Sequence, residues 1–337
     1  MGMNWLITGG CGFLGTSLIK RLMSEGGHSI RIVDNLSVGS REDLAAVCEF
    51  TESTASALIT SFPPLGEEGG MGAGIQLIVG DILDDKLALA AAEGMDVIIH
   101  FAANTGVAPS VEDPRMDCVN NVIGTLNYLE AARHCKVKRF IFASSGAPVG
   151  EVEPPIHEEM APHPVSPYGA SKLAGEGYCS AYHRTFGVET VSLRFGNVYG
   201  PGSGHKSSVV AKFIRRALAG QSLEIYGNGS QTRDFIFIDD LIDGVWRAAT
   251  MPGVGGETFQ IATSSETSVR AMLEMLVPTL KRHGIAVPPV EFSEPRLGDV
   301  MRNFSDTSKA RRILGWQCRM SLEEGLENAV VWFTGSR

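Results

Sequence analysis

The sequence lacks the features of a membrane or secreted protein. None of its 337 residues belongs to an uninterrupted apolar run of about 18 residues, the length that indicates a transmembrane helix. Met1 leads within a few residues into the apolar stretch 5–7, with no basic segment and no signal-peptide cleavage site before it. We therefore expect a cytoplasmic protein without a membrane partner.

Closely spaced metal ligands and cysteine pairs are also missing. The nearest two of the six cysteines, Cys118 and Cys135, are 17 residues apart, so the sequence contains no C-x-x-C pair. The nearest two histidines, His157 and His163, flank Pro162, which prevents a zinc-binding helix of the H-E-x-x-H type. We expect neither a metal site nor disulfides.

Positive charge is in short supply. Lys and Arg total 29 against 38 Asp and Glu, which gives a net charge of −9 and argues against nucleic acid as a partner. Apolar residues make up 44% and charged residues 20%, which is typical of a soluble globular chain. The length of 337 residues suits about two domains of roughly 150 residues each.

The first half of the chain alternates short apolar runs with stretches of helical period. Leu14, Leu18 and Leu22, for example, recur at every fourth position. The apolar runs predict six strands, at 5–8, 29–34, 76–79, 97–100, 140–143 and 190–194. Strands that alternate with helices predict an α/β fold, here a Rossmann-type doubly wound parallel sheet.

The pattern changes after Gly196 to Gly/Pro loops between helices and short strands. We therefore divide the chain into a first domain, 1–195, and a smaller α/β substrate domain, 196–337, with a segment near 234–262 packing back onto the first. Residues 51–74 contain five glycines and two adjacent prolines, which predicts a loop excursion longer than ordinary connections.

A glycine-rich motif, G-x-G-x-x-G, spans residues 10–15 between the first predicted strand and a helix. Glycine allows a tight turn there and lets a pyrophosphate approach the N–H groups of the helix N-terminus. Asp34 ends the next strand, where its carboxylate would bind the ribose hydroxyls and repel a 2′-phosphate. This context predicts NAD as the cofactor, while the alternative is a tight turn without a ligand.

Tyr168 and Lys172 lie at i and i+4 on one predicted helix. A nearby ammonium favours the phenolate, which would let the tyrosine act as a base nearer neutral pH. Ser145 ends the fifth strand at the carboxyl edge of the sheet, where it could bond a reacting oxygen. The plain alternatives are a surface tyrosine with a solvated lysine and a turn-forming serine.

Several motifs occur in one order from about residue 3 to residue 333. They are Thr8-Gly9-Gly10-x-Gly12-x-x-Gly15, Asp34-Asn35, Gly80-Asp81-Ile82, His100-Phe101-Ala102-Ala103, Ser144-Ser145, Tyr168-x-x-x-Lys172, Arg194-x-x-Asn197-Val198-Tyr199-Gly200-Pro201 and Arg233-Asp234-Phe235. As a set they resemble the nucleotide-sugar epimerase/dehydratase family of extended short-chain dehydrogenases/reductases, nearest in pattern to its 4-epimerases.

The resemblance implies roles for individual residues. The catalytic residues would be Tyr168, Lys172 and Ser145. NAD would be bound by Gly9, Gly12, Phe13, Leu14, Gly15, Asp34, Asn35, Asp81, Ile82, Phe101, Ala102, Ala103, Asn120, Tyr168 and Lys172. A nucleotide-diphosphate sugar would be bound by Ser145, Tyr168, Asn197, Arg233 and Arg296. The family also suggests a homodimer formed through helices near 115–135 and 168–186.

The resemblance also implies the chemistry. Tyr168 would take the proton of the sugar 4-hydroxyl as C4 gives a hydride to NAD, forming a 4-keto intermediate. A 4,6-dehydratase carries an acid pair directly after the serine position, where this chain has Gly146 and Ala147, neither of which can move a proton. We therefore expect epimerisation at C4 of a nucleotide-diphosphate hexose, most simply a UDP-sugar.

Two loops depart from the family pattern where the sugar should lie. The serine loop ends as Pro148-Val149-Gly150 and lacks the usual tyrosine, and the Gly200-Pro201 turn continues to His205 and Lys206. Either of the last two side chains could meet a sugar carboxylate. The alternatives are a dehydratase, decarboxylase or reductase on the same fold, or a catalytically silent NAD-binding protein.

Overall fold

The largest element of the protein is a parallel β-sheet. The structure, a computed structural model, describes residues 2–60, 74–205, 208–294 and 300–335. The strands of all its sheets, large and small, are β1 (Asn4–Thr8), β2 (Ser29–Asp34), β3 (Thr51–Thr54), β4 (Ile75–Val79), β5 (Val97–His100), β6 (Arg139–Ser145), β7 (Thr190–Phe195), β8 (Asn197–Tyr199), β9 (Leu223–Tyr226), β10 (Thr232–Arg233), β11 (Phe235–Phe237), β12 (Thr258–Ile261), β13 (Thr267–Ser268) and β14 (Val290–Ser293).

Helices connect most of these strands. They are α1 (Phe13–Glu25), α2 (Arg41–Ala45), α3 (Ala55–Thr60), α4 (Asp85–Ala92), α5 (Val107–Glu112), α6 (Pro114–Cys118), a π-helical turn (Val119–Ile123), α7 (Gly124–His134), α8 (Pro167–Phe186), α9 (Val209–Leu218), α10 (Ile238–Thr250), α11 (Val269–Arg282), α12 (Ser308–Leu314) and α13 (Leu322–Gly335). Within the described residues, no helix combines the length and apolar character that a membrane crossing requires.

The order of the large sheet is β12-β7-β6-β5-β1-β2-β4-β3, with every neighbouring pair parallel. Its six central strands follow the Rossmann order, in which the chain reverses direction across the sheet between β1 and β5. The predicted fold class is therefore confirmed. All six predicted strands are present, and the bounds of β2 and β5 coincide with the predicted ones.

The predicted loop excursion is partly wrong. Residues 51–60 of the 51–74 segment form β3, which pairs with β4 at the sheet edge, and α3. The four residues of β3 are exposed or half-buried, so the strand carries no apolar run that the sequence could reveal. Residues 61–73 lie outside the described part of the chain.

The opposite edge of the sheet comes from the second half of the sequence. β12 pairs with β7 in parallel, with Phe259 opposite Leu193, and both of these side chains are fully buried. Smaller sheets, β8 with β11, β9 with β14 and β10 with β13, form the rest of that half. The two halves of the sequence therefore share one sheet and one continuous apolar core.

The buried strands read as continuous apolar runs because both faces of a parallel sheet are covered. Ile7 and Ile32 face a core that includes residues of α1 and α10, while Leu6 and Val33 face another that includes residues of α4, α7 and α8. Because the carboxyl ends of all these strands lie at one edge, the segments that follow them meet there. The candidate functional residues lie on those segments.

Candidate active site

The glycine-rich turn connects β1 to α1. Gly9 has a φ of +69°, a conformation that glycine adopts without strain, and its N–H donates to the Val33 carbonyl oxygen at 2.8 Å. A Cβ atom at Gly9 would lie 2.9 Å from the backbone nitrogen of Ala102, and one at Gly15 would overlap the Cα of Gly10. The turn therefore requires glycine for its close approaches.

The N-terminus of α1 opens onto this turn. Gly12 is the N-cap residue, and it supplies no side chain that could cap the first turn of the helix, which includes the half-buried Phe13 and Leu14. Gly39, which sequence analysis did not single out, also borders the turn, because a Cβ there would overlap the backbone of Cys11. This open cradle fits the pyrophosphate of a dinucleotide.

Asp34 lies at the end of β2, beside the cradle. One oxygen of its buried carboxylate accepts from the backbone N–H of Cys11 at 2.9 Å, and the other accepts from that of Leu36 at 2.8 Å. Burial raises the pKa of the Asp34 carboxyl, and these two hydrogen bonds oppose the rise. The aspartate is thus fixed against the glycine-rich turn.

The ends of β2 and β4 are connected by side chains. Asn35 Nδ2 donates to Asp81 Oδ2 at 2.9 Å, and Asp81 Oδ1 accepts from the Leu83 N–H at 2.9 Å. Ile82 is buried and packs closely against Gly124, where an added Cβ would collide with the Ile82 side chain. These predicted NAD contacts therefore form one cluster beside Asp34.

The segment after β5 runs past the glycine-rich turn. Phe101 is buried, Ala102 and Ala103 are half-buried, and the Ala102 N–H donates to Thr8 Oγ1 at 3.2 Å. His100 Nδ1 lies 3.0 Å from the same hydroxyl, and burial lowers the pKa of this histidine to about 3. A neutral His100 therefore stabilises the glycine-rich turn through its contact with Thr8.

Two asparagines occupy the π-helical turn between α6 and α7. Asn120, the predicted cofactor contact, is half-buried, whereas Asn121 is buried. Asn121 Oδ1 accepts from the Asn104 N–H at 2.7 Å, and its Nδ2 donates to Ser171 Oγ at 3.0 Å. Sequence analysis did not single out Asn121, although the π turn that positions it occurs often at functional sites.

Local sequence sets the position of Tyr168. Ser166 caps α8, since its Oγ accepts from the Gly169 N–H at 3.1 Å, and Pro167 occupies the first helical position. A Cβ at Gly169 would lie 2.6 Å from the Ala147 carbonyl oxygen, so the start of α8 packs closely against the serine loop. Tyr168 therefore projects from the first turn toward the end of β6.

Ser145, Tyr168 and Lys172 are brought together as predicted. Lys172 Nζ lies 5.9 Å from the centre of the Tyr168 ring. The ammonium donates to the Ala143 carbonyl oxygen at 2.8 Å. Burial raises the pKa of Tyr168 to about 12, the neighbouring Ser145 side chain opposes this rise, and burial lowers the pKa of Lys172 to about 8.

Two further predicted substrate residues, besides Ser145 and Tyr168, lie on β8 and β10. Asn197 is exposed, and its N–H donates to the Asp234 carbonyl oxygen at 2.7 Å. Arg233 is half-buried, and its guanidinium donates to the carbonyl oxygens of Thr232 at 2.6 Å and Val300 at 2.9 Å. Arg296 lies outside the described residues.

The loops that depart from the family pattern have specific surroundings. Val149 is fully buried, and a Cβ at Gly146 would lie 3.3 Å from the side-chain amide of Asn303. His205 Nε2 lies 3.7 Å from Asp43 Oδ2, close to α2, while Lys206 is outside the described residues. Asn303 was missed by sequence analysis because it is 157 positions from Gly146 and belongs to none of the motifs.

The fold and the site define an extended short-chain dehydrogenase/reductase with a Rossmann dinucleotide site. Comparison with known proteins agrees, because the model of the NAD dependent epimerase/dehydratase family matches residues 5–262. The chain belongs to that family. The predicted family and the predicted cofactor, NAD, are thereby confirmed.

Several similar proteins are named as enzymes of nucleotide sugars. UDP-glucose 4-epimerase of Mycolicibacterium smegmatis is 36% identical over 336 residues, which cover 98% of each chain. The dTDP-glucose 4,6-dehydratase of the same organism is 31% identical, with 98% of this chain and 93% of that one covered. The structure of UDP-glucose 4-epimerase from Thermotoga maritima, solved with UDP-glucose, has a TM-score of 0.84 at 32% identity and covers 99% of both chains.

Proposed function

We propose that the protein is an NAD-dependent 4-epimerase of a UDP-hexose, with Tyr168 as the base. The observation that carries this proposal is the grouping of Ser145, Tyr168 and Lys172 beside the glycine-rich cradle. Gly146 and Ala147 directly follow Ser145, where a dehydratase would carry its acid pair. Epimerisation at C4 needs no further acid and therefore suits this set of side chains.

Side chains of the protein carry out the transfer of the sugar 4-hydroxyl proton. The Tyr168 phenolate removes the proton of the 4-hydroxyl, and Ser145 donates a hydrogen bond to the same sugar oxygen. Lys172, held by the Ala143 carbonyl oxygen, stabilises the phenolate by its charge. NAD, held in the glycine-rich cradle, would supply the hydride acceptor for C4 and, in its reduced form, the hydride donor for the other face of the transient 4-keto sugar. Tyr168 then gives the proton back.

Cofactor and substrate are held by separate groups. The cradle of Gly9, Gly12 and Gly15 receives the pyrophosphate of NAD, and Asp34 binds its adenosine ribose. Asn35, Asp81 and Ile82 border the adenine, Phe101, Ala102 and Ala103 follow the ribose and phosphates, and Asn120 lies beside the dinucleotide. Asn197, Arg233 and Arg296 bind the nucleotide sugar, since a guanidinium suits a diphosphate.

A homodimer completes the proposal. Exposed apolar side chains lie on α6, the π turn and α8, with Met116 42%, Ile123 44% and Tyr178 40% exposed. A second copy that packs the same helices would cover them, as isologous helix pairs do. Light scattering of the purified protein should give twice the mass of one chain, and a monomer at micromolar concentration would contradict this part of the proposal.

The reaction can be tested directly. The NAD-loaded protein is incubated separately with UDP-glucose, UDP-N-acetylglucosamine and UDP-glucuronate, and each product is followed by proton NMR and mass spectrometry. A sugar of unchanged mass with inverted C4, and no net NADH, supports the epimerase. Loss of the mass of water or of carbon dioxide indicates a dehydratase or a decarboxylase instead, and net NADH consumption in a parallel incubation with added NADH indicates a reductase.

A further inference from the structure

A fully buried carboxylate lies on α6, outside every motif of the family pattern. Asp117 has no exposed surface, and its Oδ1 accepts from Asn121 Nδ2 at 3.0 Å and from Asn104 Nδ2 at 3.4 Å. Burial raises the pKa of this carboxyl, whereas the charge of Lys172 lowers it. A carboxylate buried at this cost requires a compensating partner.

Asp117 is connected to the turn of α8 that carries the catalytic pair. Asn121 Nδ2 also donates to Ser171 Oγ at 3.0 Å, and Ser171 Oγ donates to the Tyr168 carbonyl oxygen at 3.1 Å. Ser171 directly precedes Lys172 in sequence. The network therefore joins α6, the π turn and the first turns of α8, with Asp117 as its charged member.

The charge balance around Lys172 distinguishes Asp117 from a second buried carboxylate. Glu176, one turn after Lys172, is paired with Arg194 through bonds of 2.9 and 2.8 Å and accepts from Ser144 at 2.5 Å. Among the described residues, by contrast, Asp117 forms no ion pair within 4.0 Å. Asp117 is therefore the carboxyl group left to balance the charge of Lys172.

We propose that Asp117 is a positioning residue that acts as the counter-charge of the Tyr168–Lys172 pair, keeping Lys172 protonated inside the protein. This inference rests on the proposed function, because it assumes that Tyr168 is the base. The groups that face Lys172 are Asp117, Glu176, Cys179, His100 and Tyr168. Of these, Asp117 and Glu176 are the two carboxyl groups, and Arg194 already balances Glu176.

The sign of the effect follows from the charge. The Asp117 carboxylate raises the pKa of Lys172 and that of Tyr168, because it favours the protonated form of each. When that charge is removed, both values fall. Activity depends on a deprotonated Tyr168 and a protonated Lys172, so both limbs of the pH–rate profile should move to lower pH.

The first readout needs no substrate. The NAD-loaded wild type and Asp117→Asn are titrated from about pH 7 to about pH 12, which reaches the raised pKa of Tyr168, and phenolate absorbance is followed. Subtracting the same titration of Tyr168→Phe isolates Tyr168 from the other five of the six tyrosines. We expect the Tyr168 transition to fall by about one pH unit in Asp117→Asn and to return to the wild-type value in Asp117→Glu.

A matched control lies one turn earlier. Asp113 is an exposed carboxylate that caps the N-terminus of α6, and asparagine caps a helix equally well, so Asp113→Asn removes one charge a single turn before Asp117. Its Tyr168 transition should stay within about 0.2 pH units of wild type because water screens an exposed charge. Asp117→Ser is the substitute if Asp117→Asn does not fold.

The outcomes separate the two proposals. An unmoved Tyr168 transition in a neutral Asp117 variant that melts near the wild-type temperature would overturn the role of Asp117, even if Tyr168 is the base. If Tyr168→Phe kept its turnover, the proposed function would fail, while the titration would still measure the effect of Asp117 on the phenol. A shift in Asp113→Asn equal to that in Asp117→Asn would also overturn the proposal.

Discussion

The proposed cofactor end and the proposed sugar end of the active site are built in different ways. Residues 8–15 shape the cofactor cradle, and the Gly9 N–H and Asp34 pin it to the neighbouring strand. The sugar end joins segments far apart in sequence, such as Gly146 with Asn303 and Arg233 with Val300. The cofactor end therefore depends on local backbone geometry, and the sugar end depends on how loops distant in sequence pack together.

This difference has a functional consequence. A backbone cradle accepts few substitutions, because a side chain at Gly9 or Gly15 would collide with main-chain atoms. Loops such as those that carry Val149 and His205 can change without disturbing the sheet. One fold can therefore keep its cofactor while its sugar specificity diverges, and substitutions at the two ends should separate NAD binding from sugar turnover.

The largest effect on turnover is expected at Tyr168, which is proposed to contact both the cofactor and the sugar. Tyr168→Phe removes the proposed base and should lower kcat by about 10²–10⁴-fold while NAD binding is retained. Turnover by NMR and the amount of co-purified NAD measure the two properties. Tyr178→Phe, on the exposed side of the same helix, is the matched control and should retain wild-type turnover. A Tyr168→Phe rate near that of wild type would remove the base assignment.

The next largest effect tests the cradle. Gly15→Ala places a methyl group against the Gly10 backbone and should cost about 1–3 kcal/mol of the free energy of unfolding, with loss of NAD. Gly177→Ala is the control, because a Cβ there meets no atom within 4 Å in the middle of α8, and it should stabilise the protein by about 0.5–1 kcal/mol. Denaturant unfolding measures both.

Equal stability of these two variants would show that the turn tolerates a side chain, contrary to the geometry. Retained NAD in a destabilised Gly15→Ala would instead show that the cradle matters for folding alone. Either result would weaken the contrast between a rigid cofactor end and an adaptable sugar end.

Arg233→Gln tests the sugar end. Loss of the guanidinium should raise KM for the UDP-sugar about 10- to 150-fold, since a charge-assisted hydrogen bond contributes about 1.5–3 kcal/mol, and leave NAD affinity unchanged. Arg270→Gln, an exposed arginine in the same half of the chain, should leave KM unchanged. A loss of NAD in Arg233→Gln would mean that the two ends are not separable.

The sequence predicts most of the sheet because buried parallel strands are continuous apolar runs. The prediction failed at β3, since an edge strand of Thr51, Glu52, Ser53 and Thr54 leaves its side chains largely in water. The glycine-rich turn and the Tyr168–Lys172 pair are predictable because their members are at most a few positions apart. Pairings between residues as distant as Gly146 and Asn303 leave no such local pattern.

The smallest effect examines that long-range contact. A Cβ at Gly146 would lie 3.3 Å from the Asn303 amide, so Gly146→Ala requires the loop around Asn303 to yield by a few tenths of an ångström. We expect a two- to threefold increase in KM for the sugar nucleotide, equivalent to about 0.5 kcal/mol, with no change in NAD binding. Asn303→Ala combined with Gly146→Ala should remove the crowding, so the two changes should be non-additive in KM. Additive effects would mean that the two residues act on the sugar independently, and that the sugar end is as locally determined as the cofactor end.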